Sequence, residues 1–219
     1  MKAYVITILD NDLSVKSAEK CIRSAKRYGQ EVSMWPAVTP NHPNFESLQE
    51  VLGVVPERFD SKWSRRDNAI ACFLSMAGLW THAVETNENI LILEHDAHMI
   101  GRLPWNFKFD KVCTLGQPSF GKFNTPTAIG TGPLVQKTYF GGAHAYAVSP
   151  AGAQILLDSI AEKCMPTDVY LNIENFDFLE EYYPWVFRVN ESFSTIQKEA
   201  GCRAKHSIMN GKEITLVEP

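Results

Sequence analysis

Residues 89–93, Asn-Ile-Leu-Ile-Leu, form the most continuous apolar run in the chain, and they lead directly into Glu94-His95-Asp96-Ala97-His98. Polar and apolar positions do not alternate within the run. A strand built from it is therefore covered on both faces, which is the situation of interior strands in parallel α/β sheets. In such sheets ligands bind beyond the carboxyl ends of the strands. One segment thus constrains both the fold and the place where chemistry is expected.

The opening of the chain agrees with it. Residues 3–9 are apolar without helical spacing and read as a central strand rather than a leader, because the run is short and stops at Asp10 with no small-residue cleavage site. Asn11 and Asp12 offer capping oxygens. Leu13, Val15, Ala18, Cys21, Ile22, Ala25 and Tyr28 then recur near helical spacing up to Gly29, and residues 32–37 read as a second strand. Strand, helix and strand in that order imply a βαβ unit with parallel pairing. Further on, residues 45–52 are amphipathic and residues 68–86 are strongly helical. Residues 143–148 return to strand character, Pro150 suits a first helical turn, and residues 153–161 are helical. Residues 116–142 carry six glycines (116, 121, 130, 132, 141 and 142) with Pro118, Pro126 and Pro133, which predicts a long irregular loop of the kind that forms lids and binding loops. The aromatic-rich remainder, through Tyr183, Trp185 and Phe187, is expected to close the fold.

Composition excludes several classes. With 219 residues, 45% of them hydrophobic, the chain has material for a sizeable core in one α/β domain spanning 1–219. A net charge of −4 gives no general basic face for nucleic acid. No segment approaches the ~18 consecutive apolar residues of a membrane span. Cys21, Cys72, Cys113, Cys164 and Cys202 are scattered, odd in number and never paired as CxxC, so they read as free thiols of a reducing, cytoplasmic compartment. Dinucleotide, phosphate-loop and serine-hydrolase signatures are absent.

Glu94 and Asp96 share a side of the chain if the extended conformation continues past the strand. Two carboxylates at a strand end need compensation. A hard cation such as Mn²⁺ or Mg²⁺ bound with a diphosphate supplies it. Capping of the next turn or simple ion pairing is the alternative. His95 and His98 raise zinc as another, without further ligands in a recognisable pattern. Arg65 and Arg66 could fork onto phosphate oxygens or form a solvated surface. His144, beside Tyr146, could serve a ligand site or the core.

Several blocks together resemble glycosyltransferase family 25, which includes lipopolysaccharide and collagen galactosyltransferases. Residues 4–9 look like its first strand, Trp35-Pro36-Ala37-Val38 like the segment after its second strand, and residues 68–80 like its G-x-x-G-C-x-x-S-H-x-x-x-W helix. Residues 90–97 are similar to its strand and acidic metal motif, residues 141–149 to its G-x-x-A-Y-x-I-S strand, and residues 166–171 to its P-x-D-x-x-L segment. His95 stands where that family usually has an acidic residue, Met76 replaces a histidine and Ala71 a glycine. The resemblance implies a GT-A-like fold with a Rossmann-like, mostly parallel central sheet flanked by helices. It also implies a nucleoside-diphosphate sugar donor (usually UDP), an inverting transfer to a saccharide or other acceptor hydroxyl, and a role such as lipopolysaccharide biosynthesis; the acidic balance of the chain disfavours nucleic acid as acceptor. On the basis of the resemblance Asp96, with His98 as an added ligand, is expected to hold Mn²⁺ or Mg²⁺. Glu94 is expected at the donor and Asp168 as the base, with Arg65, Arg66 and His144 added as donor-site candidates by their own chemistry. Asp168 could equally be a helix cap. The three departures keep open a catalytically silent relative that only binds nucleotide sugar or glycan.

Overall fold

The computed structural model describes residues 1–119, 121–141, 143–189, 193–197 and 215–216. In chain order it places β1 (Lys2–Thr7), α1 (Asp12–Lys26), β2 (Ser33–Pro36), α2 (Phe45–Leu52), a 3-10 turn (Pro56–Phe59), α3 (Arg66–Thr86), β3 (Ile90–Glu94), β4 (Ala97–Met99), β5 (Val112–Thr114), β6 (Gly130–Pro133) and β7 (Ala145–Val148). There follow α4 (Pro150–Asp158), α5 (Ile160–Lys163), α6 (Thr167–Tyr170), β8 (Leu179–Tyr183), β9 (Phe187–Val189), β10 (Phe193–Ser194) and β11 (Thr215–Leu216).

Seven strands make one mixed sheet in the order β2-β1-β3-β7-β5-β8-β6. The opening βαβ unit forms as its pattern implies: β1 pairs in parallel with β2 and with β3. Asn11 caps α1, its side chain accepting from the Leu13 and Ser14 amides at 3.0 and 3.1 Å. β7 runs antiparallel to both β3 and β5, and β6 antiparallel to β8, so five of the seven strands share a direction. The long glycine-rich stretch is therefore not structureless: it contributes the edge strand β6. Gly130-Thr131-Gly132-Pro133 has no apolar alternation to betray it, and a proline is tolerated there because an edge strand has a free side.

The pleat distributes the core. Even positions Ile6, Ile90, Ile92, Tyr146 and Val148 face a cluster with α3, while odd positions Ala3, Val5, Leu91 and Leu93 face a cluster with Ala18, Cys21 and Ala25 of α1. Every residue from Ile90 to Leu93 is fully buried, as the unbroken apolar run requires. Helix α3 lies inside the protein, between the sheet and α4, the 3-10 turn and α6, and buries Ile70, Phe73, Leu74, Met76, Leu79 and Trp80. Within it the Trp80 indole N–H donates to Tyr146 Oη at 2.9 Å, and that hydroxyl donates to Met76 Sδ at 3.3 Å. Trp80 is a core residue, and truncating it would cost about 3–5 kcal/mol. Among the described residues no helix is long and apolar enough to cross a membrane.

Candidate active site

A cavity of about 120 Å³ opens beyond the carboxyl ends of β1, β2 and β3. Ile6 and Ile8 come from the end of β1, Ala37 to Pro40 follow β2, and Glu94, His95 and Asp96 end β3. Asn68, Cys72, Ser75 and Met76 of α3 form its floor, and Ser194, Thr195 and Ile196 close one side. Its volume is below the ~300–1,000 Å³ of typical ligand pockets.

The local folding of these walls is specific. Ser75 Oγ accepts from the Val38 amide at 2.8 Å and donates to the Ala71 carbonyl at 2.8 Å, which fixes the chain leaving β2 against α3. The Arg65 amide donates to the Ile196 carbonyl at 2.8 Å, and Asn68 Nδ2 donates to the Thr195 carbonyl. These bonds hold the Ser194–Ile196 wall onto the first turn of α3.

The even-odd alternation of β3 settles where its terminal side chains go. Glu94, an even position, is on the α3 side with Ile92. His95 falls on the α1 side: its Nδ1 lies 2.8 Å from Ser14 Oγ, which also accepts from the Ile8 amide at 2.9 Å, and Ser17 Oγ donates to the His95 carbonyl at 3.0 Å. The residue that departs from the family's acidic pattern is thus tied to the start of α1, in the turn that separates Glu94 from Asp96.

Three carboxylates share this corner. Burial, then the charges of Asp96 and Asp168, raise Glu94 to about 8. Burial raises Asp168 to about 6, against opposing stabilisation from backbone N–H groups and Lys137. Asp168 therefore loses its proton first, and its charge helps hold the proton on Glu94. Asp168 lies in the first turn of α6, whose cap position is Pro166, and its Oδ1 accepts from the Val169 amide at 3.0 Å. Cys72 is in the same field: burial, then Glu94 and Asp168, push its thiol well up, so it stays neutral. Asp96 Oδ1 is buried without a hydrogen-bond partner among the described residues. An acceptor oxygen left that way costs stability unless a ligand meets it.

The other sequence candidates are distributed differently. His144 is buried, its carbonyl accepts from the Glu94 amide at 2.9 Å, and its ring lies against Gly116. It supports Glu94 from behind rather than lining the cavity. His98 sits on β4 opposite Arg188 of β9, outside the cavity lining. Arg66 pairs with Asp67 at 3.3 Å and Asp60 at 3.8 Å, and neither it nor Arg65 lines the cavity. Cys21, Cys72, Cys113 and Cys164 are free thiols, and Cys202 lies outside the described residues. Among the described residues no group of three or more His, Cys, Asp or Glu side chains is arranged to hold a metal. This arrangement offers no argument for zinc. It remains compatible with Mg²⁺ or Mn²⁺, which commonly use one or two carboxylates and complete their shell with water and substrate phosphate.

Residues 194–196 and Asn68 were not legible as site residues, since only tertiary contact brings the late segment onto α3. Lys137 and Tyr139, both within the field of Asp168, carried only the signal of lying in the glycine-rich stretch.

No protein family and no curated protein matches the chain. Among solved structures it is similar to the crystal structure of a glycosyltransferase involved in the glycosylation of the major capsid of PBCV-1, with a TM-score of 0.42 and 9% identity over 86% of this chain and 92% of that one. A likeness at that level has no bearing on what the chain does.

Proposed function

We propose that the protein is a metal-dependent, inverting glycosyltransferase of the family 25 type, moving a sugar from a nucleoside-diphosphate donor, of the UDP class, to an acceptor hydroxyl. The observation that carries this reading is that Glu94 and Asp96 line a cavity at the carboxyl ends of parallel strands, within the field of Asp168 on α6, with Asp96 Oδ1 buried and without a hydrogen-bond partner among the described residues. Asp96 would hold Mn²⁺ or Mg²⁺, with Glu94 beside it orienting the ion's shell or the donor ribose. When bound, the cation neutralises charge on the departing diphosphate.

The chain's own residues account for the rest of the work. Asp168, raised to about 6, is ionised at neutral pH yet basic enough to take the acceptor hydroxyl's proton as that oxygen attacks. Cys72, Met76, Ile6 and Ile8 keep apolar surface around the carboxylates and limit water. The cavity of about 120 Å³ is smaller than a whole sugar nucleotide, so it would hold only part of the donor.

Incubation with a panel of sugar nucleotides and Mn²⁺ tests the reading. Release of nucleoside diphosphate by the parent, and its loss in Asp96→Asn, is the expected result. Binding of donor without any release would favour the catalytically silent alternative, and no binding of any donor would contradict both.

A further inference from the structure

A second concavity lies beside the segment that follows α6, the helix that carries Asp168. It is an open groove of about 820 Å³ whose lining includes Lys122, Phe123, Asn124, Lys137, Tyr139 and Ile173. The backbone ties it to α6. The Ile173 amide donates to the Thr138 carbonyl at 2.8 Å, Tyr139 forms an antiparallel bridge with Asn172, and Asn172 Nδ2 donates to the Val169 carbonyl at 2.6 Å. Lys137 and Tyr139 of the groove feel the charge of Asp168, as Cys72 of the cavity does. Asp168 is therefore close to both.

We propose that this groove is the acceptor subsite and that it takes a saccharide carrying a carboxylate or phosphate. The proposal rests on the glycosyltransferase reading for its role as acceptor site.

The chemistry of the lining selects that ligand class. Among the described residues no acidic side chain lines the groove, Asp168 being near it but not in its lining, although the chain as a whole carries a net charge of −4. Two lysines face it, and lysine is a compact, strongly hydrated point charge suited to carboxylate or phosphate. Lys137 is placed with care. Its ammonium lies 5.1 Å from the Tyr139 ring centroid, with Nζ 3.4 Å from Tyr139 Oη. Its stem runs past two glycines: a Cβ at Gly141 would come within 2.9 Å of Lys137 Cδ, and one at Gly121 within 3.1 Å of Nζ. Gly121 also adopts φ +67°, which favours glycine there on conformational grounds. Tyr139 and Phe123 supply ring faces for the apolar face of a sugar. Phe123 is itself braced edge-on by Trp185 at 5.5 Å between centroids. Asn124 adds an amide for hydroxyl recognition. Cations, rings and an amide together make a surface for a polyhydroxylated anion rather than for a bare ion.

The test is an NMR titration of the full chain with four probes: a glucuronyl-β-1,4-glucose disaccharide, its neutral parent cellobiose, glucose 6-phosphate and inorganic phosphate. The expected result is that at least one acidic sugar binds about tenfold more tightly than cellobiose, the scale of two part-exposed ionic contacts. Which of the two does so separates carboxylate from phosphate recognition. The preference should vanish in the folded double variant Lys122→Gln/Lys137→Gln and return when arginine replaces both lysines. Equal affinity for acidic and neutral sugars, a preference that survives in the double variant, or inorganic phosphate binding as tightly as glucose 6-phosphate would each overturn the proposal. A parallel titration with uridine diphosphate and Mn²⁺ separates the two hypotheses. Acidic sugar bound without uridine diphosphate binding overturns the acceptor role along with the transferase reading, leaving an anionic-saccharide site. Uridine diphosphate bound with no sugar bound overturns the groove proposal alone.

Discussion

Replacing Glu94 by glutamine should make the protein more stable and less active, and the stability gain should depend on pH in a defined way. In the folded protein this carboxyl holds its proton up to about 8, against 4.5 ordinarily. The folded state therefore binds the proton more tightly than the unfolded chain. The group's contribution to stability is fully present below about 4.5 and is lost as the pH climbs through 8. Full ionisation at pH 9 corresponds to about 5 kcal/mol at ~1.36 kcal/mol per pH unit, an upper bound because Asp96 and Asp168 share the cost. Glutamine keeps the shape and removes the ionisation. A net gain of roughly 1–3 kcal/mol at pH 9 is expected, which is about 2–12 °C in Tm for a chain of this length. Near pH 4.5 the variant and parent should melt within about 1 °C of each other, since both are uncharged at this position there. Thermal melts of both proteins at pH 4.5, 7 and 9, without metal or nucleotide, measure this directly. A variant that is destabilised equally at all three pH values would refute the crowded-carboxylate argument, because loss of simple packing or of a hydrogen bond has no such pH dependence.

Two further outcomes follow from the geometry. Asp168→Asn should lower turnover ~10²–10⁴-fold while leaving donor binding intact, and kcat/KM of the parent should fall with unit slope below about pH 6; a variant within about tenfold of the parent would remove Asp168 from the base role. Gly116→Ala places a Cβ 2.4 Å from His144 Nε2, so it should cost about 1–3 kcal/mol and lower Tm by several degrees, with reduced turnover because the His144 carbonyl holds the Glu94 amide; an unchanged melt would show that His144 has room to move.

The parts legible in the sequence are those set by local pattern. The unbroken run 90–93 specified a strand covered on both faces, and Asn11 with the spacing of Leu13 to Ala25 specified a capped helix leading to a parallel partner. Alternation along β3 even carries the separation of Glu94 from His95, because one residue along a strand exchanges faces. What stayed hidden depended on pairing across long separations. β7 enters between β3 and β5 with reversed direction, and β6 is an edge strand of glycine, threonine and proline. Neither leaves a periodic mark. The same applies to the cavity's last wall: Ser194 to Ile196 reach α3 through backbone carbonyls, which any residue type provides. Chemistry alone left Arg65 and Arg66 open between phosphate contact and a solvated surface, and in the folded chain Arg66 pairs with Asp60 and Asp67 while half-exposed.

The central claim is that Asp96, with Glu94 beside it, holds a divalent cation together with a nucleoside diphosphate. Titrating Mn²⁺ into the protein with and without uridine diphosphate, and following free Mn²⁺ by its electron paramagnetic resonance signal, tests it most directly. The account predicts weak uptake by the protein alone, strong uptake once uridine diphosphate is present beyond that of nucleotide alone, and loss of that uptake in Asp96→Asn. Mn²⁺ that remains as free as in a protein-less control, or an Asp96→Asn variant that takes it up as well as the parent, would contradict it.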